Sequence, residues 1–366
     1  MQQVNLTRRQ LIKSSLATIV IGSGATVLSG CQSTSGSRLL YLGSARTPAG
    51  SYCVSAAGED GKQRFSVPLP ARGHGIAIDR LGDMAFVFAR RPGEYIQPFN
   101  WQTGQTAPLY RAPEDRYFYG HGVVSADGLL YVTEGEVKTS RGIIGVYTVS
   151  SIGELHKLKE FTDFGIGPHE VVLVDEDTLG IGVGGVHTKG REPQNIESMK
   201  PELVLINRHT GRIVERHRLD DHKLSIRHLA VGPNGEVLTG QQYRGDSSQS
   251  VPLVAIYHPE NGYHSLKAEP EQWARFNHYI ASIACTEKYI YATSPRGNCF
   301  GIWSLETGEL ITLKPLIDAS GAVIVEDSVA LSSGSGKVVS IDSDNTTFYK
   351  ASDVLWDNHW SAVNLI

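Results

Sequence analysis

Short apolar runs separated by polar turns repeat along the chain, and apolar positions at helical spacing are almost absent. Leu129-Leu130-Tyr131-Val132 follows the turn Asp127-Gly128, Val237-Leu238 follows Asn234-Gly235-Glu236, and Tyr289-Ile290-Tyr291-Ala292 follows Glu287-Lys288. A second turn recurs later in each unit, as in Gln102-Thr103-Gly104, His209-Thr210-Gly211, Asn261-Gly262 and Glu306-Thr307-Gly308. These turns follow runs such as Leu203-Val204-Leu205-Ile206, and Gly or Asn supplies the positive φ that a tight hairpin requires. Short runs bounded by turn residues predict antiparallel strands.

The units begin near His74, His121, His169, His228, Ala281, Gly321 and His359, at intervals of 47, 48, 59, 53, 40 and 38 residues. A unit of four short strands every ~40–50 residues is the pattern of a β-propeller blade. The chain therefore reads as an all-β protein, a seven-bladed β-propeller. Residues 39–43, 51–55 and 64–67 supply three strands that lack an inner partner, while residues 360–366 supply one strand and no blade. Pairing of that C-terminal strand with the N-terminal strands completes a blade and removes both open edges of the ring.

The N-terminus follows a different pattern. Arg8-Arg9 precedes a mild apolar stretch, residues 16–28, too short for the ~20 apolar residues of a bilayer span. This is the layout of a twin-arginine (Tat) signal peptide. Leu28-Ser29-Gly30-Cys31 resembles a lipobox and makes Cys31 the expected lipidation site. Residues 1–30 are thus expected to be a signal, 31–37 a Ser/Gly-rich tether and 38–366 the propeller. The expected location is the periplasm, with export by the Tat route and a lipid anchor in a bacterial membrane.

Charge narrows the choice of partners. The formal net charge of −4 becomes −7 once Arg8, Arg9 and Lys13 leave with the signal, so no basic face for nucleic acid is expected. The remaining cysteines, Cys53, Cys285 and Cys299, have no metal-ligand spacing. No Walker loop, dinucleotide fingerprint, Gly-x-Ser-x-Gly or haem-attachment motif is present.

The candidate chemistry lies in histidine. Five of the 13 histidines, His74, His121, His169, His228 and His359, share one phase of the repeat, at the start of the innermost strand. That phase brings residues from distant blades to one channel mouth, as a metal site requires, and imidazole suits iron and copper. Glu170, Asp357, Asn277 and Asn358 are candidates to orient the rings. His278, although out of phase, can reach the same mouth, and Arg72 and Arg227 flank it and suit a carboxylate. The alternative is an interaction scaffold whose histidines only satisfy turns. An enzyme acting on a small organic ligand is a third reading, for which no nucleophile is paired with a base in the sequence.

Arg72-Gly73-His74-Gly75, Tyr119-Gly120-His121-Gly122, Gly167-Pro168-His169-Glu170, Ile226-Arg227-His228-Leu229 and Asp357-Asn358-His359-Trp360 resemble an uncharacterised family of Tat-exported bacterial β-propellers, known as domain of unknown function 1513. Genes for such proteins often lie beside those for imelysin-type and di-haem oxidoreductase-like proteins. The resemblance therefore implies periplasmic iron-uptake or redox partner proteins, and iron or copper as the metal.

Overall fold

The computed structural model describes residues 39–364 apart from residue 48, together with all but the side chain of Asn358. The expected signal, the tether and Cys31 lie outside the described residues. The described chain forms seven four-stranded antiparallel sheets. A small hairpin, Thr188–Lys189 with Glu192–Pro193, is inserted in the fourth blade.

Six blades run from inner to outer strand in chain order. Their inner strands are Gly73–Ile78, Arg116–Val124, Pro168–Leu173, Leu224–Val231, Ser282–Cys285 and Ala319–Val325, in blades 2 to 7. Blade 1 is composite. Its outer three strands are Leu39–Arg46, Tyr52–Gly58 and Gln63–Pro68, and its inner strand is the C-terminal Leu355–Asn364. Leu40 pairs with Val363 and Gly43 with Trp360, so the chain ends close the ring as the sequence predicts.

The apolar residues form seven clusters, and each spans one boundary between adjacent blades. The boundary between blades 7 and 1 joins Ala330 and Val338 to Tyr41, Trp356 and Trp360. Middle strands are packed on both faces and are buried almost throughout, as in Leu39–Arg46 and Val237–Tyr243. Outer strands such as Ile213–His217 and Thr347–Ala351 are largely exposed. With its apolar mass in these wedges, the fold leaves the axis to polar side chains.

A short helix, Pro270–Ala274, interrupts the pattern before blade 6. Glu269 and Gln272 form a reciprocal capping box at its start, a signal present in the sequence. The Gly182-Val183-Gly184-Gly185 segment follows a close backbone approach, since a Cβ on Gly185 would lie 2.5 Å from the Lys200 carbonyl carbon.

Candidate metal centre

Each of the five in-phase histidines sits at a break in the ladder of its inner strand. Register shifts fall between Gly73 and Ile76, Phe118 and Gly122, Pro168 and Glu170, and Ile226 and His228. In the C-terminal strand the shift lies between Trp356 and Trp360, opposite Ala45 and Gly43. A bulge re-aims one side chain out of the alternating pattern. Here it turns five imidazoles from five blades into one layer across the channel.

The layer is dense. Ring centroids of His74 and His121 are 4.8 Å apart, His121 and His359 4.6 Å, His228 and His359 4.6 Å, and His169 and His228 5.0 Å. All five residues are between 2% and 9% exposed. Glycine makes this approach possible. A Cβ on Gly120, at φ +106°, would fall 2.6 Å from His74 Cδ2, and one on Gly75 would fall 3.0 Å from His121 Nδ1. The backbone is pinned from the second strands, where the Thr133 hydroxyl lies 3.1 Å from the carbonyl oxygens of both His121 and His169. Ser44 donates likewise to the His74 carbonyl at 3.1 Å.

Two triads have ligand atoms within 4.8 Å of one another: His74, His121 and His169, and His121, His228 and His359. Nitrogens bound at about 2.0–2.1 Å to one ion stand about 3.3–4.2 Å apart, so little closure is needed. His121 belongs to both triads. Glu170 bridges the rings, with one carboxylate oxygen 3.4 Å from His121 Nδ1 and the other 3.3 Å from His228 Nδ1. The Leu229 backbone N–H also donates to Glu170, at 2.9 Å. A carboxylate that accepts Nδ1–H fixes the tautomer with Nε2 as the free donor atom. His121 Nε2, His169 Nδ1 and His359 Nε2 are buried with no hydrogen-bond partner among the described residues. Buried polar atoms of this kind are as a rule paired, so three orphaned ring nitrogens in one layer point to a bound ion or an ordered water.

Burial holds four of the rings neutral. Burial, reinforced by the neighbouring histidines, pushes the imidazoles of His74, His169 and His359 well below the usual value. Burial lowers His228 as well, against the raising effect of Glu170. Burial would raise the carboxyl of Glu170, yet His121 and His228 hold it well below the usual range. Among the described residues no thiolate competes as a ligand. Cys53, Cys285 and Cys299 are free and buried away from the layer, and burial pushes Cys285 up to about 12 and Cys299 to about 11.

The other candidates divide. Asp357 is buried and engaged by the Arg72 guanidinium through two contacts, with Nη2 to Oδ1 at 2.6 Å, so it balances Arg72 and orients no imidazole. Arg227, the chain neighbour of His228, is buried. Asn277 and His278 do not join the layer. Both adopt left-handed backbone after the short helix, Asn277 is exposed, and His278 Nε2 is held by the Gln249 carbonyl at 2.6 Å. The turn that carries them is an insertion that shifts the phase. Sequence reasoning missed Thr133 and Ser44, whose signal is a hydroxyl in the second strand opposite a bulge.

These neutral rings make acid sensitivity a direct expectation. Between the depressed folded values and the unfolded value of about 6.5, the unfolded chain binds more protons, so stability falls as pH drops below about 6.5. Each such histidine contributes up to about 1.4 kcal/mol per pH unit, and the three with the largest shifts about 4 together. Metal-free protein should therefore lose most of its denaturation midpoint between pH 6.5 and 5. A flat midpoint over that range would contradict neutral buried imidazoles.

Fold and site together define a seven-bladed propeller with a layer of histidines across its channel. The chain belongs to the family described as "Protein of unknown function (DUF1513)", which matches residues 67–363. No curated protein matches it. Among solved structures it resembles Kuenenia stuttgartiensis hydrazine synthase at 15% identity and a TM-score of 0.59, over 82% of this chain and 89% of that one. That likeness establishes the propeller fold alone.

Proposed function

We propose that the protein binds a transition metal ion, iron or copper, in the histidine layer and serves in periplasmic metal handling. The observation that carries this is the convergence of five buried histidines from five blades, three of them with unpartnered ring nitrogens. An all-imidazole set suits iron and copper, and Glu170 supplies a negative charge next to it. His74, His121 and His169, or His121, His228 and His359, would hold the ion. The test is the metal content of protein purified from its native compartment, where near-stoichiometric iron or copper is expected. Protein that arrives metal-free and takes up neither ion would return the histidines to the scaffold reading.

Export and anchoring belong to the same proposal, motivated by Arg8-Arg9 and the Leu28–Cys31 motif. A lipid anchor would keep the propeller at the membrane beside iron-uptake or redox partners. Cys31→Ala should abolish lipid labelling, and unchanged labelling would remove the anchor from this account.

A further inference from the structure

The histidine layer separates two cavities on the channel axis. The inner one, about 330 Å³, touches His121, His359 and Glu170. The outer one is a vestibule of about 780 Å³ that reaches His74 and His169. The vestibule is the unusual feature. Eight arginines line it against two aspartates, and no lysine does, in a chain whose net charge is −4. Arg72 alone of the eight has an acidic partner among the described residues, the Asp357 that it neutralises. Burial, then Asp357, raises the carboxyl of the second acid, Asp318, above its usual value.

Arg227 is the deepest of these arginines. It is 2% exposed, and its Nε and Nη2 find no hydrogen-bond partner among the described residues. Arg91 and Arg244 also carry buried unpartnered nitrogens, at Nη1 and Nε respectively. A guanidinium stays charged in proteins, so burial without a counter-ion is costly. Placement follows the blade repeat. Arg46 ends its second strand, while Arg91, Arg244 and Arg296 follow theirs, so four blades deliver a planar fork to one mouth.

We propose that this vestibule is a binding site for a small polycarboxylate, with one carboxylate on Arg227. Arginine forks match carboxylates through paired N–H donors, whereas lysine would offer only point charges. Because the forks come from separate blades, they suit a ligand with several separated anionic groups better than a single phosphate. The site shares the wall formed by His74 and His169 with the metal centre but requires no ion there.

The experiment is calorimetric titration of the full chain with citrate, succinate and inorganic phosphate at two salt concentrations. Citrate is expected to bind at one site, more tightly than succinate or phosphate, and to weaken as salt rises. Arg227→Met should lower citrate affinity at least about tenfold, as loss of a charge-assisted pair does. Its ligand-free melting temperature should equal or exceed that of the wild type, because an uncompensated buried charge has gone. Arg91→Gln, at a more exposed position, should also weaken citrate and guards against misfolding of the first variant. Protein stripped of metal with EDTA and dialysed should bind citrate as tightly as untreated protein. Loss of citrate binding on metal removal would mean that the anion is held through a metal, and would overturn the proposal. So would tighter binding of phosphate, or citrate affinity unchanged from the wild type in both arginine variants.

Discussion

Truncation after His359 is expected to abolish cooperative folding of the whole ring, although it removes only residues 360–366. The lost strand end carries Trp360, which stacks on Tyr41 with centroids 4.4 Å apart and meets Trp356 edge-on at 4.8 Å. It also carries Ala362 and Val363, buried on opposite sides of blade 1 in two different clusters. Removing a buried Trp costs about 3–5 kcal/mol by itself, and the remaining apolar burial about 1.5–3 more. The ladder from Leu39 to Gly43 would then stand open at the channel wall. Against a net stability of about 5–15 kcal/mol, those losses are decisive. Thermal unfolding followed by circular dichroism gives the check. A cooperative transition at the wild-type temperature would show that the ring closes without this strand.

Replacing His121 and His169 together with Ala should reduce iron or copper affinity by at least about a hundredfold. That exceeds the 10–100-fold typical of losing only a partner that orients a ligand. His121 is the larger contributor because both triads contain it, and the double variant leaves neither triad complete. Glu170→Gln should give the smaller effect, since it keeps the shape but loses the charge that faces His121 Nδ1 and His228 Nδ1. His217 and His258 serve as controls, the first on an outer strand and the second at the end of a third strand. The double variant should also lose less stability than the wild type between pH 6.5 and 5, because one strongly depressed imidazole has gone. Equal metal affinity in this variant and in the His217/His258 control would eliminate the metal reading.

Much of the architecture was legible in the chain because a propeller is periodic. Asp127-Gly128 and Asn234-Gly235 mark equivalent turns, and counting back from them places His121 and His228 on inner strands. The unpaired strands at residues 39–67 and the lone strand at the C-terminus required ring closure, since an open edge has no other stable outcome. Strand phase also placed five histidines on the axis.

Phase specifies which end of a blade a residue occupies, but not its partners across the ring. Asp357 and Glu170 look alike in sequence, each within two residues of an in-phase histidine. Only the fold shows that Asp357 faces Arg72 while Glu170 reaches two imidazoles from neighbouring blades. Asn277 and His278 left the site because the helix at Pro270–Ala274 and the left-handed residues after it shift the chain out of register. The arginine vestibule carried its own repeat signal, an arginine at or just after a second strand, yet each looked like surface charge in isolation. The sequence thus determined the periodic elements, because local turn chemistry and alternation suffice for them. The tertiary structure decided the bulges, the bridging carboxylate and the unpaired guanidinium groups, because those depend on contacts between residues far apart in the chain, 58 positions for Glu170 with His228 and 285 for Arg72 with Asp357.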